Sequence, residues 1–439
     1  MSFLLSAVLS GMILSSVNYQ FQTMRILHSS DWHLGQHFIG KSRATEHAAF
    51  LRWLVAQIRE LKVAALIVAG DIFDTATPPS YARELYNQFI VDLQPTGCQL
   101  VILGGNHDSP AVLAESKQLL AKLNTTVIPA IPANLADQLV VLTDLHGAPA
   151  CLLAAVPFLR SRDLLQSQAG QSGQQKQQDL QQAIASHYQQ LFALAQSYNQ
   201  QHKLQLPIVM TGHLTTVGVS QSESVRDIYI GTLEAFSASQ FPPADYIALG
   251  HIHQAQQLNS TTDIRYSGSP IPLSFDEARQ QKQAWLVEFS AGQKNVRSIV
   301  IPCFQPLASI KTDLASLPAM LKPLLASLGG DKRLWLEVVI GQSDGYLTDL
   351  QPRVEQLLSD LPVELLRLRR ERSSVTNLQQ LKQTSLAELS PSDVWQARLA
   401  DEVLSAELQQ QLTALYQQVL AKVLDDDQHS DLMANGDST

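Results

Sequence analysis

Seven side chains of types that bind divalent metals stand at intervals along the sequence, each just after an apolar run. Asp31 and His33 lie in "SSDWHLG", Asp71 in "AGDIFD", Asn106 in "GGNHD", His213 in "VMTGH", and His251 and His253 in "GHIH". Asp74, His107 and Asp108 sit close beside them. Asp-x-His and His-x-His place two donors two residues apart, and in extended chain alternate side chains leave the backbone on the same side, so each pair can approach one metal region. Adjacent glycines let the backbone turn sharply without a Cβ penalty. A mixed shell of carboxylate, amide oxygen and imidazole suits Mn2+, Fe2+ or Zn2+ better than Mg2+ or Ca2+, which prefer oxygen alone. Taken singly, any of these residues is more simply a satisfied structural polar group. As a set they are not, because gathering so many ionisable groups in one interior is costly without a compensating cation.

The runs that precede them must position them. "RILHSS" (25–30), "AALIVAG" (64–70), "CQLVILGG" (98–105), "CLLAAVP" (151–157), "PIVMTG" (207–212) and "DYIALG" (245–250) read as buried strands ending in small residues. Between the first two, Leu51, Leu54, Val55, Ile58 and Leu61 mark one face of a helix. This alternation predicts a layered α/β or sandwich domain, in which sites form at the carboxyl ends of strands. Residues 165–201 are rich in Gln, with Gly170 and Gly173 near the start, and predict a loop leading into a polar helix that serves as a solvated connector.

From about residue 300 the pattern changes. "LASIKTDL", a helix-like "LPAMLKPLLASL", the strand "RLWLEVVIG", a helix around Leu350 to Leu358 and "PVELLRLRR" predict a compact second α+β unit. Beyond Arg372 the chain is polar until "SPSDVWQARLADEVLSAELQQQLTALYQQVLAKVL". There Ser390 to Asp393 offer helix-start chemistry, and Leu408, Leu412, Leu415 and Val419 keep helical spacing. Such helices have little core of their own and either pack on their own domain or dock on a partner protein. The ending "DDDQHSDLMANGDST" is expected to be disordered.

With 439 residues, 45% of them hydrophobic and 16% charged, the chain can bury a large core in two or three domains. A net charge of −9 argues against a protein that binds nucleic acid by charge alone, so an anionic substrate needs locally placed cations. Cys98, Cys151 and Cys303 form no CxxC or zinc spacing, which fits a reducing cytoplasm. "FLLSAVLSGMIL" (3–14) has no Lys or Arg before it, no A-x-A site after it, and too little length to span a bilayer. Because "MRILHSSDWH" opens the first strand at Met24, residues 1–23 are expected to be a non-native extension or one from a mis-assigned start, and no membrane association is expected.

The ordered series D-x-H, G-D-x-x-D, G-N-H-D, G-H and G-H-x-H, at Asp31, Asp71, Asn106, His213 and His251, resembles the calcineurin-like metallophosphoesterase family. "ILHSSDWHLGQ", "GHLTTVG", "VRDIYIGTLEAF", "FPPADYIALGHIHQAQ" and "YSGSPIPLSFDE" are similar to DNA-nuclease members of that family, over Met24 to about Val423. The resemblance implies an α/β fold: a four-layer β-sandwich flanked by helices over 24–298 and a small α+β capping domain that guides DNA over 299–372. A linker with partner-binding helices over 373–424 and an acidic, disordered tail over 425–439 complete it.

The resemblance also implies two divalent ions, expected to be Mn2+, sharing Asp71. Asp31, His33 and His253 would complete one site, and Asn106, His213 and His251 the other. Together they would lower the pKa of a water, which as hydroxide attacks phosphorus in line. His107 would help the 3′ oxygen leave as a general acid, or else brace the ligands, with Asp108 orienting its imidazole. Asp74 stands where archaeal and eukaryotic relatives carry histidine, and it either touches DNA or braces the site.

Arg367, Arg369, Arg370 and Arg372 form a basic cluster that either meets DNA phosphates or is a solvated strand edge. The implied partner is a coiled-coil ABC-type ATPase bound by the helices after Pro391, with the chain homodimeric inside a heterotetramer. No Walker A sequence is present, so ATP hydrolysis falls to that partner. The implied activity is ATP-dependent exonucleolytic cleavage of double-stranded DNA ends, with endonucleolytic cleavage of single strands and hairpins. It would serve repair, recombination and replication, in the cytoplasm at the nucleoid. Two alternatives are a phosphoesterase acting on a small phosphodiester, a nucleotide or a phosphoprotein, and a scaffold without chemistry; against the second, every expected ligand is present.

Overall fold

In the computed structural model, the residues described are 23–165, 171–225, 235–258, 260–329, 332–341 and 348–371, with helical residues 395, 399, 408–416 and 418–419. Residues 1–22, Arg372, most of the expected partner-binding helices and the tail lie outside them.

An unbroken aliphatic run has no polar face to offer water, so it makes a strand only where both faces are covered. The sequence's apolar runs meet that condition. β1 (Met24–Ser29), β2 (Ala65–Val68), β3 (Gln99–Leu103) and β4 (Thr125–Ile128) pair in parallel, in that order. A second sheet is built from β5 (Leu139–Thr143), β6 (Pro149–Ala154), β7 (Ile208–His213), β8 (Tyr246–Gly250), β9 (Gln256–Gln257) and β10 (Ile264–Tyr266), in the order β9-β10-β8-β7-β6-β5. Its four inner strands are parallel and its two edges antiparallel. The chain then returns to the first sheet, where β11 (Gln283–Ser290) pairs antiparallel with β1 and with β12 (Gln293–Val300).

Ile26, Ile67 and Val101 from the first sheet meet Leu153, Val209 and Ala248 from the second in one core. On the outer face of the first sheet, α1 (Ala44–Leu61) and α2 (Ser80–Leu93) bury Phe50, Leu54 and Phe89 against Leu66 and Leu100. The outer face of the second is covered by α3 (Gly173–His202). The result is the four-layer α/β sandwich expected from the sequence, and each fully buried Leu, Ile or Phe in it contributes about 1.5–3 kcal/mol.

The solvated connector expected over 165–201 is overturned. α3 buries Leu180, Ile184, Tyr188, Leu191 and Ala195, and the Tyr188 hydroxyl donates to the Thr211 carbonyl at 3.0 Å. Its glutamines occupy the other faces and conceal a stripe at three- and four-residue spacing.

The chain divides into two compact units: residues 1–309, 321–337 and 360–367 form one, and 310–320, 338–359 and 368–439 the other. β13 (Leu307–Thr312), β14 (Leu334–Ile340) and β15 (Val363–Arg370) make a three-stranded sheet in that order, with α4 (Leu317–Ala326) and α5 (Leu350–Leu358) between them in sequence. In the larger unit, Phe38, Phe275, Leu307, Trp335 and Leu366 pack together, and the buried Arg43 guanidinium lies 5.1 Å from the Phe38 ring and 5.6 Å from that of Trp335. Arg367 is 2.5 Å from Glu337 and 5.3 Å from the Phe275 ring, which removes it from the expected basic cluster; Arg369 and Arg370 remain exposed. No helix among the described residues is long and apolar enough to cross a membrane.

Candidate metal centre

The carboxyl ends of β1, β2, β3, β7 and β8 lead directly into Asp31, Asp71, Asn106, His213 and His251. Register brings them together. His213 pairs with Gly250 across β7 and β8, so His251 follows beside it. Pairing of β1 with β2 runs on past the strand ends, through Asp31 N–H to Gly70 O and His33 N–H to Asp71 O, both 3.0 Å. The two sheets are also tied to each other: His213 Nδ1 donates to Ala69 O at 2.8 Å, and the His251 amide donates to Asp31 Oδ1 at 2.9 Å.

All seven donors expected from the sequence converge. Asp31, His33 and His253 offer ligand atoms within 4.8 Å of one another, as do Asp71, His213 and His251. Asp71 Oδ2 lies 3.2 Å from His213 Nε2 and 3.6 Å from His33 Nε2, between the two groups. Asn106 Oδ1 lies 2.9 Å from His213 Nε2 and 3.2 Å from His251 Nδ1. A third group, His33, Asp74 and His107, overlaps the first.

This convergence requires unfavourable backbone. Asp31, His33 and Asp71 have φ of 54°, 47° and 52°, and His251 has 93°. Each such non-glycine residue costs on the order of 1–3 kcal/mol and persists only where its surroundings fix it. Gly105 is required for a different reason, since a Cβ there would overlap the Asp71 carboxylate.

Burial opposes ionisation of Asp71, yet the imidazoles of His213, His33 and His107 hold its carboxyl well below the usual range. His213 is raised to about 9, the Asp71 charge outweighing burial, and His33 is raised against burial by its hydrogen bond to Asp74. Burial and the neighbouring His213 push His251 well down. His33 Nε2 and His251 Nε2 are buried without a hydrogen-bond partner. Buried imidazole nitrogens facing carboxylate and amide oxygens fit divalent cations that accept both donor types.

Asp108 corrects an expectation. Rather than orienting the His107 ring, its carboxylate accepts from the amides of Gly105 (2.9 Å), Ile72 (3.1 Å) and Phe73 (2.9 Å), lacing the loops after β2 and β3 together. Burial and the Asp71 charge still push it up to about 6. It is the Asp74 carbonyl that accepts from His107 Nδ1, at 2.7 Å, while Asp74 Oδ1 lies 3.2 Å from His33 Nδ1. Sequence reasoning also missed Ser224, Glu277 and Lys282, which surround His253: its Nδ1 is 2.6 Å from Ser224 Oγ and 3.3 Å from Glu277 Oε1, and its carbonyl accepts from Lys282 Nζ at 3.0 Å. Glu277 ends the "YSGSPIPLSFDE" stretch, the one sequence signal near it.

Residues 24–255 match the family described as calcineurin-like phosphoesterase, and residues 303–403 match the type 5 capsule protein repressor C-terminal domain. The chain is similar to SbcD of the nuclease SbcCD from Escherichia coli strain K12, 50% identical over 395 residues that cover 90% of this chain and 97% of that protein. The protein of the same name from Rhodobacter capsulatus is 31% identical over 78% of this chain and 86% of its own length. That from Bacillus subtilis is 28% identical over 73% and 80%.

Proposed function

The chain belongs to the calcineurin-like phosphoesterase family and is a metal-dependent nuclease, and from that premise we propose that it hydrolyses DNA phosphodiesters at a two-cation centre. Asp31, His33 and His253 would hold one cation and Asn106, His213 and His251 the other, with Asp71 available to both. The observation that carries this reading is the Asp71 carboxylate, lying between His33 and His213 at 3.6 and 3.2 Å.

Divalent cations bound there supply positive charge that attracts a phosphodiester, acidifies water and stabilises the charge that develops in the transition state. The side chains supply orientation. Because a carbonyl can only accept, His213 keeps its proton on Nδ1 against Ala69 and presents Nε2 to the site. His107 likewise keeps Nδ1–H on the Asp74 carbonyl, which leaves Nε2, once protonated, to donate to the departing 3′ oxygen. Asp74 positions two imidazoles at once, and Asp108 fixes the loops that carry Asp71 and His107.

The native cation is Mn2+. The domain division is 24–298 for the nuclease, 299–372 for the cap and 373–424 for the linker and docking helices. Those helices bind the coiled-coil ATPase SbcC, in an assembly containing two copies of this chain that acts on double-stranded ends and hairpins at the nucleoid. What supports the partner and substrate is the name carried by relatives matching nearly the whole chain. The test is cleavage with Mn2+ of a hairpin DNA and of a cyclic nucleotide, alongside association with the ATPase after deletion of residues 391–439. Preference for hairpin DNA and loss of association are expected; preference for the nucleotide, or undiminished association, would reject the corresponding half.

A further inference from the structure

We infer that Ser224 and Glu277 form a hydroxyl–carboxylate relay that fixes the tautomer of His253 and so sets how firmly one cation is held. The inference deepens the proposed two-cation centre and rests on it. A neutral imidazole has one nitrogen with a free lone pair, and only that nitrogen can ligate a metal. Which one it is depends on what the other nitrogen meets.

Ser224 Oγ lies 2.6 Å from His253 Nδ1 and also hydrogen-bonds Glu277 Oε1. The Glu277 carboxylate is an acceptor throughout: Oε1 takes the Ser222 hydroxyl at 2.7 Å, and Oε2 takes Lys282 Nζ at 2.6 Å, the Leu273 amide at 3.0 Å and the Ser269 hydroxyl at 3.2 Å. Ser222 Oγ also lies 3.0 Å from Ser224 Oγ, but the charged Glu277 carboxylate is the stronger acceptor and takes the single Ser224 proton, so only the Ser224 oxygen lone pairs are left for His253. Nδ1 must then carry the imidazole proton, which Ser224 Oγ accepts at 2.6 Å; Glu277 Oε1, at 3.3 Å from Nδ1, is the longer and weaker acceptor. The lone pair is then on Nε2, and His253 belongs to one donor group with Asp31 and His33.

Lys282 completes the arrangement. Its ammonium is buried beside Glu277 and balances that charge, while also donating to the His253 carbonyl at 3.0 Å and the Ser269 hydroxyl at 2.9 Å. Ring and main chain of His253 are thus held by one connected network. Ser224, Glu277 and Lys282 are positioning residues and touch no reacting atom.

The test is calorimetric titration of Mn2+ into the full-length, metal-stripped protein and its Ser224→Ala, Ser224→Thr and Glu277→Gln variants. Ser224→Ala is expected to keep one site unchanged and to weaken the other about 10–100-fold. Ser224→Thr, which retains the hydroxyl, is expected to restore both. Nitrogen-15 spectra of histidine-labelled protein should place the His253 proton on Nδ1 in the unmodified chain and divide it between the nitrogens in Ser224→Ala. An unchanged melting temperature in Ser224→Ala separates this from misfolding, which Glu277→Gln risks by leaving Lys282 without its counter-charge. Two full-affinity sites in Ser224→Ala, or a proton on Nε2 in the unmodified chain, overturns the relay alone. An unmodified protein that binds no Mn2+ overturns the centre and the relay with it.

Discussion

The main-chain amide of His107 donates to Asp71 Oδ1 at 2.9 Å, so the imidazole assigned to the leaving group and the carboxylate lying between the two donor groups cannot shift independently. The bond comes from backbone, and any side chain but proline at position 107 leaves it in place.

His107→Ala is therefore expected to bind Mn2+ as the unmodified protein does and to cleave about 10²–10⁴-fold more slowly, the usual worth of a positioned proton donor. Metal stoichiometry measured beside single-turnover cleavage checks both halves. Undiminished cleavage would remove His107 from the reaction.

Asp108→Ala is expected to act on stability first. It strips three buried amides of their acceptor, and an unsatisfied buried donor costs about 1–3 kcal/mol. Urea denaturation should register a loss of about 3 kcal/mol or more, with Asp108→Asn losing less. A change within about 0.5 kcal/mol, as for an ordinary surface position, would contradict the lacing role.

Metal-free protein is expected to lose stability in acid through His28 and His47. Burial pushes both imidazoles from 6.5 down to about 3; His28 is further fixed between the Tyr246 hydroxyl and the Leu249 carbonyl. Between those two values the unfolded chain binds protons that the folded chain refuses. Stability therefore falls as pH drops below 6.5, by up to about 1.4 kcal/mol per unit for each imidazole. Urea midpoints over this window should slope less steeply in His28→Gln, and an identical slope would count against the assignment.

The donors were legible in the sequence because Asp71, Asn106 and His251 each follow an aliphatic run closed by glycine and Asp31 and His213 stand close behind one, and the carboxyl ends of parallel strands share one edge of the sheet. The resemblance implied that Asp108 orients the His107 ring, whereas its carboxylate accepts from the amides of Gly105 in its own loop and of Ile72 and Phe73 in another. The α3 stripe was hidden by glutamine content, although its spacing was in plain view. Arg367, Arg369 and Arg370 look like one cluster as letters, but on a strand the first two share a face and the third opposes them. Ser224, Glu277 and Lys282 had no periodicity to announce them, since their meeting depends on where separate loops fold back.

Asp31 and His251 are joined amide to carboxylate across 220 positions of chain. A ribosome releasing this protein delivers the β1 and β2 half of the centre long before the β8 half exists. Any nascent fragment ending short of His253 lacks part of the constellation, however well its first sheet has formed. The donor set is therefore completed only after the second sheet has been synthesised and has folded onto the first.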